Sequence, residues 1–187
     1  TLTYTPPVAF NEGTITVELL SMKDLEGHVY SATELPYTFT YVYDTTAPSI
    51  NTAGISPVSP GFATSANQAI YVPVNDGTVG SGLDLTTVDL ILSYPGSGGT
   101  FSVGIGDNLS YTDGNLVFTP TIAYEEGTAQ VWINSLKDTA GLSAAEGPYY
   151  FEFVIDLKNP AIIDSTQSPL NGTAVTTDNG EIKVQIT

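Results

Sequence analysis

Acidic side chains placed at turns are the residues of this sequence best suited to chemistry. They stand in or beside predicted loops and junctions: Glu12, Asp44, Asp76, Asp84, Glu126, Asp138 and Asp156. Carboxylate oxygens on loops are the ligands that Ca²⁺ prefers, and the ion takes roughly six to eight oxygen ligands. The sequence contains neither an EF-hand loop nor a calcium-binding nonapeptide repeat. It therefore raises the hypothesis of a calcium site assembled from several loops.

Two other interpretations of these acids stay open. Each aspartate could make an Asx turn, and each acid could simply be hydrated. A glycosidase pair, such as Glu125 with Glu126 or Asp76 with Asp84, is the catalytic alternative. Glu125 and Glu126 point to opposite sides of an extended chain and lie in a repeated turn. His28 is the only histidine and lies in a polar loop without a counterpart in the second copy. We therefore assign no catalytic residue and do not expect an enzyme.

Composition limits the partners. The 187 residues include four Lys or Arg and 20 Asp or Glu, for a formal net charge of −16. This charge argues against nucleic acid and anionic membranes, because both are bound through positive side chains. The absence of cysteine excludes disulfides and thiolate chemistry. No apolar run approaches the ~18 residues of a membrane span. The acidic surface is typical of an extracellular or cell-surface protein, with divalent cations as natural counter-charges.

A long internal repeat organises the chain. Residues 118–138 repeat residues 4–24 at a separation of 114, which pairs Glu12 with Glu126 and Asp24 with Asp138. Two residues then drop out, so that residues 148–162 repeat 36–50 at a separation of 112. A repeat of this length is a domain rather than a solenoid unit.

The repeat predicts where the units begin and end. Residues 1–47 are the C-terminal half of one unit, 48–159 are a complete unit, and 160–187 are the N-terminal strands of a third. Pro48 fixes φ and removes a donor at the first junction, where the short link should bring neighbouring units into contact. Apolar and polar residues alternate through short segments, including 2–5, 14–20 and 87–94, with the Gly-rich acidic loop 75–85 between the strands. This pattern predicts an all-β chain of antiparallel sandwiches.

Four stretches of the chain then resemble a known family. They are GNLVFTPTIAYEEGTAQVWINSLKDTAGL at 114–142, PYYFEFVIDLKNP at 148–160, DTTAPSI at 44–50 and VNDGTVGSGLDLTTVDLIL at 74–92. They resemble the bacterial Ig-like domains that are strung in tandem along S-layer proteins and large surface adhesins. In that family a KD-x-AGN turn precedes a strand that ends in D-TTAP. Here Leu142 replaces the usual Asn, and the second junction keeps only Asp156 and Pro160. The resemblance implies tandem Ig-like β-sandwiches on the cell surface.

The expected function is mechanical. A structural repeat segment of a long surface or filament protein would provide spacing, stiffness or assembly, with calcium rigidifying the junctions. Its partners would be neighbouring Ig-like repeats or copies of itself, joined by strand exchange. The alternative is the ligand-binding module of an adhesin or a carbohydrate-binding appendage of a secreted enzyme, and it predicts an aromatic patch found in one unit only. The acids expected to meet at the first junction are Glu12, Asp44, Asp76, Asp84 and Asp138, with Glu126 and Asp156 at the second.

Overall fold

The computed structural model describes residues 2–30, 33, 36–144, 148–173 and 181–186. The regular elements of the described residues are β-strands and one 3₁₀ turn at Thr52–Gly54, which confirms the all-β prediction. The strands are β1 (Gly13–Leu19), β2 (Tyr37–Tyr43), β3 (Ser49–Ile50), β4 (Phe62–Ala63), β5 (Ile70–Asn75), β6 (Leu83–Ser93), β7 (Phe101–Val103), β8 (Leu109–Thr112), β9 (Asn115–Phe118), β10 (Gly127–Asp138), β11 (Tyr149–Ile155), β12 (Ile162–Ser168) and β13 (Lys183–Ile186).

Two larger sheets are built from β3 to β11. One has the order β4-β11-β10-β6-β7 and the other the order β3-β5-β9-β8. Every pairing in them is antiparallel except that of β4 with β11. Side chains alternate along each strand, so that Val72, Val131 and Phe153 belong to one buried cluster supplied by both sheets. Each such side chain contributes about 1.5–3 kcal/mol by leaving water, and this shared core holds the two sheets together.

The hairpin of β1 and β2 has the same register as the hairpin of β10 and β11. Its pairs run from Gly13 with Tyr43 to Leu19 with Tyr37. The pairs of the second hairpin run from Gly127 with Ile155 to Ile133 with Tyr149. Each residue of the first strand is displaced by 114 positions and each residue of the second by 112. The separations found in the sequence therefore recur as strand register.

The pairing of β12 with β13 likewise repeats the start of the larger sheets. Ile162 pairs with Ile186, as Ile50 pairs with Val74. Further along, Ser168 pairs with Lys183, and the corresponding bridge 112 residues earlier joins 56 to 71. The sheet of β1 and β2 therefore has the register of β10 with β11, and the sheet of β12 and β13 has the register of β3 with β5.

The hairpin of β1 and β2 differs from the hairpin of β10 and β11 in how much of its aromatic face is exposed. Phe39 is 48% exposed and Tyr41 is 41% exposed on β2, whereas their counterparts Phe151 and Phe153 are 2% and 1% exposed on β11. Among the described residues β1 and β2 form a sheet of two strands, and their aromatic side chains stay largely exposed. The same apolar face is thus a core in the central part of the chain and a surface at its beginning.

Two expectations about the strands are wrong. Residues 2–5 form no strand, although their side chains alternate. They correspond to 116–119, most of which is β9, and β9 pairs with β5 on one side and β8 on the other. No described strand occupies either position beside residues 2–5, so the alternation alone does not create a ladder. The acidic loop is also shorter than predicted, because β6 begins at Leu83.

Candidate metal centre at the first junction

Three carboxylates meet where the segment after β2, which is the predicted first junction, enters the larger sheets. One oxygen from each of Asp44, Asp76 and Asp138 lies within 4.8 Å of the other two. Asp44 follows β2, Asp76 follows β5, and Asp138 ends β10. Asp76 is 7% exposed and Asp138 is 1% exposed, while Asp44 is half-buried. Segments far apart in the sequence thus build one compact group of acids.

A tight turn positions Asp138. The backbone N–H of Leu142 donates to Asp138 Oδ1 at 2.8 Å, and the N–H of Asp138 donates to the carbonyl of Leu142 at 3.1 Å. Gly141, at φ +90°, closes this turn in a conformation that glycine adopts without strain. Asp138 Oδ2 is buried and receives no hydrogen bond from any described residue. One half of the carboxylate is fixed, and the other half is left without a partner.

The Gly-rich loop after β5 positions Asp76 in a similar way. The N–H of Gly82 donates to Asp76 Oδ2 at 2.6 Å. Asp76 Oδ1 is the other buried oxygen that no described group satisfies. Position 80 has to be glycine, because a Cβ on Gly80 would lie 2.0 Å from the carbonyl oxygen of Asp76 and 2.6 Å from its Oδ2. The loop therefore wraps closely around this carboxylate.

Asp44 brings the junction itself into the group. Its Oδ2 accepts the N–H of Ser81 at 2.6 Å, and its Oδ1 accepts the N–H of Thr46 at 3.0 Å. Ser81 also contacts the turn of Asp138, because its carbonyl accepts the Thr139 hydroxyl at 2.8 Å and its Oγ accepts the N–H of Ala140 at 3.0 Å. Ser81 therefore links the linker after β2 to the end of β10.

The electrostatics of the group are unfavourable without a cation. Burial raises the pKa of Asp76, and the charges of Asp44 and Asp138 act in the same direction, against the bond from Gly82. The hydrogen bonds from Ser81 and Thr46 lower the pKa of Asp44 and keep it ionised. The ion pairs among the described residues all lie elsewhere. Negative charge and two unsatisfied oxygens are therefore concentrated without a compensating group.

A hard divalent cation fits this donor set. A buried charge is costly unless it is paired with an opposite charge or coordinates a metal. The group offers only carboxylate oxygens, which suit Ca²⁺ and Mg²⁺ rather than the softer metals that prefer imidazole or thiolate. Ca²⁺ tolerates irregular coordination and completes its shell with carbonyls and water, whereas Mg²⁺ demands a regular octahedron. Three loops of unequal geometry favour Ca²⁺.

Glu12, also expected in this site, lies at the junction but binds the linker. The N–H of Thr45 donates to its Oε1 at 2.9 Å, and the Thr46 hydroxyl lies 2.8 Å from Oε1 and 2.9 Å from Oε2. The Thr45 hydroxyl donates to Oε1 as well. Hydrogen bonds from Thr45 and then Thr46 hold the pKa of Glu12 below its usual range. Glu12 is therefore a clip that fixes the linker after β2.

The second junction repeats this clip. The N–H of Leu157 donates to Glu126 Oε1 at 2.6 Å, and Lys158 Nζ lies 3.8 Å from Glu126 Oε2. Asp156 Oδ1 accepts the N–H of Lys158 at 3.3 Å, much as Asp44 accepts that of Thr46. Neither Glu126 nor Asp156 belongs to a group of three acids among the described residues. The part of the chain described here therefore shows a clip at this junction, but no cluster.

Asp84 is the remaining predicted ligand, and it lies outside the cluster. Its Oδ1 accepts the N–H of Thr86 at 3.1 Å and the Thr86 hydroxyl at 2.6 Å. Such a turn is signalled by a threonine two residues after an aspartate. The clip has a sequence signal too, because the glutamate recurs in both copies. The sequence does not predict the role of Ser81, because a backbone N–H donor is present in almost every residue type.

No protein-family model matches the chain, and no curated protein sequence matches it. The described residues contain no helix with the length and hydrophobicity needed to cross a membrane. The proposed function therefore depends on the geometry of the chain itself.

Proposed function

We propose that this chain is a structural segment of tandem Ig-like β-sandwiches in a long extracellular surface or filament protein, and that Ca²⁺ stiffens the junction before its central unit. The observation that carries the proposal is the pair of buried, unsatisfied oxygens on Asp76 and Asp138 beside Asp44. Two of these acids belong to the central unit and the third to the linker. A bound ion would connect the linker to the central unit.

The strand order supports the Ig-like assignment. In immunoglobulin domains one sheet has the order ABED and the other contains strands G, F and C. The sheet β3-β5-β9-β8 has the first order, and β11-β10-β6 has the second. The hairpin β1–β2 then corresponds to the last strands of a preceding unit at 1–47, the central unit is 48–159, and β12–β13 opens a following unit at 160–187.

Two kinds of interaction hold the junction: the hydrogen bonds of Glu12 and the group of three carboxylates. The clip of Glu12 on Thr45 and Thr46 is made of hydrogen bonds and needs no ion. The contact of Asp44 with Ser81 crosses to the central unit but places Asp44 beside two other acids. Without a cation their mutual repulsion opposes this contact. With Ca²⁺ the same three carboxylates become a cross-link, and a flexible chain of units becomes a rod.

The proposed setting agrees with the composition. An acidic chain without cysteine is suited to a surface where calcium is abundant, and extracellular calcium modules bind with dissociation constants of about 10⁻⁴ to 10⁻³ M. The exposed apolar face that includes Phe39 and Tyr41 suits contact with further strands. Its partners would be neighbouring Ig-like repeats or copies of this chain that exchange strands.

Calorimetric titration of the chain with CaCl₂ tests the proposal. We expect one ion per chain, with Asp76→Asn and Asp138→Asn abolishing the binding heat. Asp84→Asn is the matched control, because Asp84 is a nearby acid outside the cluster, and it should bind as the wild-type chain does. Absence of binding by the wild-type chain, or equal loss in the Asp84 variant, would overturn the proposal.

One observation favours ligand binding as a second candidate function. Trp132 and Tyr150 lie side by side on the outer face of the central unit, with ring centroids 5.3 Å apart, and Gln130 Nε2 donates to the Tyr150 hydroxyl at 3.1 Å. The equivalent positions in the first copy are Glu18 and Thr38. An aromatic pair found in one unit only is the feature that the ligand-binding alternative predicts. Chemical-shift changes of the Trp132 indole on titration with neutral oligosaccharides test it, and unchanged shifts would exclude it.

A further inference from the structure

The turn that holds Asp138 occurs a second time, around Asp24. The N–H of Asp24 donates to the carbonyl of His28 at 3.0 Å, and the N–H of His28 donates to Asp24 Oδ1 at 2.7 Å. The corresponding distances between Asp138 and Leu142 are 3.1 and 2.8 Å. The glycine of each turn has nearly the same φ, +92° at Gly27 and +90° at 141. The two copies thus hold their aspartates in one geometry.

The copies differ in what the second carboxylate oxygen meets. His28 Nδ1 lies 2.7 Å from Asp24 Oδ2, and this contact lowers the pKa of Asp24. The equivalent oxygen, Asp138 Oδ2, is one of the two buried oxygens with no described partner. Leu142 stands where His28 stands in the first copy, and its side chain has no polar atom. In the first copy the His28 side chain contacts the second carboxylate oxygen of Asp24. In the second copy no described group contacts the equivalent oxygen of Asp138.

We propose that the residue four positions after the aspartate decides whether this turn can ligate Ca²⁺. Leu142 leaves Asp138 Oδ2 free for the ion, whereas a histidine at that position takes the same oxygen and makes the turn self-sufficient. This inference rests on the proposed calcium site at Asp44, Asp76 and Asp138. It names position 142 as its specificity-determining position. The Asp24 turn groups its carboxylate with Glu26 and the His28 imidazole, and such a nitrogen ligand suits softer metals rather than Ca²⁺.

The surroundings of the two turns also differ, and the experiment has to separate this from the effect of the side chain. Thr139 and Ala140 dock the second turn on Ser81, while the first copy has Leu25 and Glu26 at those positions. The substitution therefore belongs in the central unit, where the docking is present. Leu142→His introduces the donor, and Leu142→Phe introduces a ring of comparable bulk without one.

Calcium titration of the full chain at pH 8 gives the first readout. We expect Leu142→His to bind Ca²⁺ about ten-fold or more weakly than the wild-type chain, because a charge-assisted hydrogen bond has to be broken for the ion to bind. Leu142→Phe should stay within about three-fold of the wild-type affinity, as a substitution that removes no ligand. Equal affinities of the two variants would overturn the inference while leaving the calcium site intact. No binding by the wild-type chain would overturn the calcium proposal itself.

A metal-free measurement tests the mechanism separately. In EGTA the ring nitrogens of the introduced imidazole in Leu142→His should show the tautomer with the proton on Nδ1, hydrogen-bonded to the Asp138 carboxylate, by long-range ¹H–¹⁵N correlation. Adding the Asp138→Asn change should alter those shifts. An imidazole with the shifts of a free side chain would show that the donor does not reach the oxygen, and would refute the inference whatever the calcium titration gives. Thermal melts in EGTA verify that each variant is folded.

Discussion

Replacing Asp138 with asparagine should have opposite effects with and without calcium. The change keeps the size of the side chain, and its carbonyl can still accept the N–H of Leu142. It removes one negative charge from the cluster and replaces the unsatisfied Oδ2 with an amide. We therefore expect Asp138→Asn to be at least as stable as the wild-type chain in EGTA, and clearly less stable than it in saturating calcium.

The structure sets the size of both effects. Two unit charges 4.8 Å apart, the limit of the spacing in this cluster, repel by about 3.5 kcal/mol at an effective dielectric constant near 20. Relaxation of the cluster and screening by solvent reduce this repulsion, so we expect a gain of about 1 kcal/mol in EGTA. Calcium at a hundred times its dissociation constant stabilises the wild-type chain by about 2.7 kcal/mol. At roughly 4 °C per kcal/mol, the wild-type melting temperature should rise by about 10 °C.

Thermal melts followed by circular dichroism measure these shifts. With a dissociation constant near 10⁻⁴ M, about 10 mM free Ca²⁺ gives the required excess over EGTA. Asp84→Asn serves as the control and should show the full calcium shift. Equal losses of stability by Asp138→Asn in EGTA and in calcium would show that the aspartate acts only as an acceptor within its turn. A wild-type melt that calcium leaves unchanged would show that the cluster holds no calcium.

Three further outcomes are expected. Gly80→Ala should cost about 1–3 kcal/mol and lower calcium affinity by crowding the carboxylate beside it, whereas Gly104→Ala, whose Cβ meets its nearest atom at 3.6 Å, should be tolerated. Phe151→Ala should cost about 3–5 kcal/mol in urea unfolding, and Phe39→Ala far less, since Phe39 is already half exposed. The Glu12 clip should weaken in acid, because its threonine partners lower the pKa of Glu12 from 4.5 in the folded chain. The stability that the clip contributes is therefore present above pH 4.5 and is lost as the pH falls through the lowered pKa. An NMR titration of the Glu12 carboxyl carbon measures this pKa.

Each of these expectations has a result that would contradict it. Equal tolerance of alanine at positions 80 and 104 would mean that the acidic loop is not closely wrapped. A large loss from Phe39→Ala, comparable to that from Phe151→Ala, would show that the face of β1 and β2 is covered in solution. An ordinary titration of Glu12 would show that the clip does not persist.

The sequence predicts the register of this fold better than it predicts the site. The two separations, 114 and 112, recur in the pairs of β1 with β2 and of β10 with β11, because a repeated pattern of apolar and turn residues directs the same pairing. The failure at residues 2–5 has the opposite cause. Alternation shows that a segment can pair, and a neighbouring strand decides whether it does. The division into units at 47/48 and 159/160 stays a prediction.

For the site, the sequence predicts that several acids lie near one another at the first junction, but it does not rank them. Asp44, Asp76 and Asp138 come together, while Glu12 and Asp84 each find hydroxyl and N–H donors nearby. The difference lies in burial and in which backbone N–H groups each oxygen meets, and neither is written in residue type. Only the hydrogen bonds of the described residues reveal the two buried oxygens that have no partner among them.

Residual dipolar couplings measured with and without calcium test most directly whether the ion stiffens the junction. Amides of the hairpin β1–β2 and of the central unit should share one alignment tensor in calcium. In EGTA the two sets should require different tensors, with weaker alignment of the hairpin. A single shared tensor under both conditions, or two tensors under both, would contradict the claim that calcium binding at Asp44, Asp76 and Asp138 locks the two parts together.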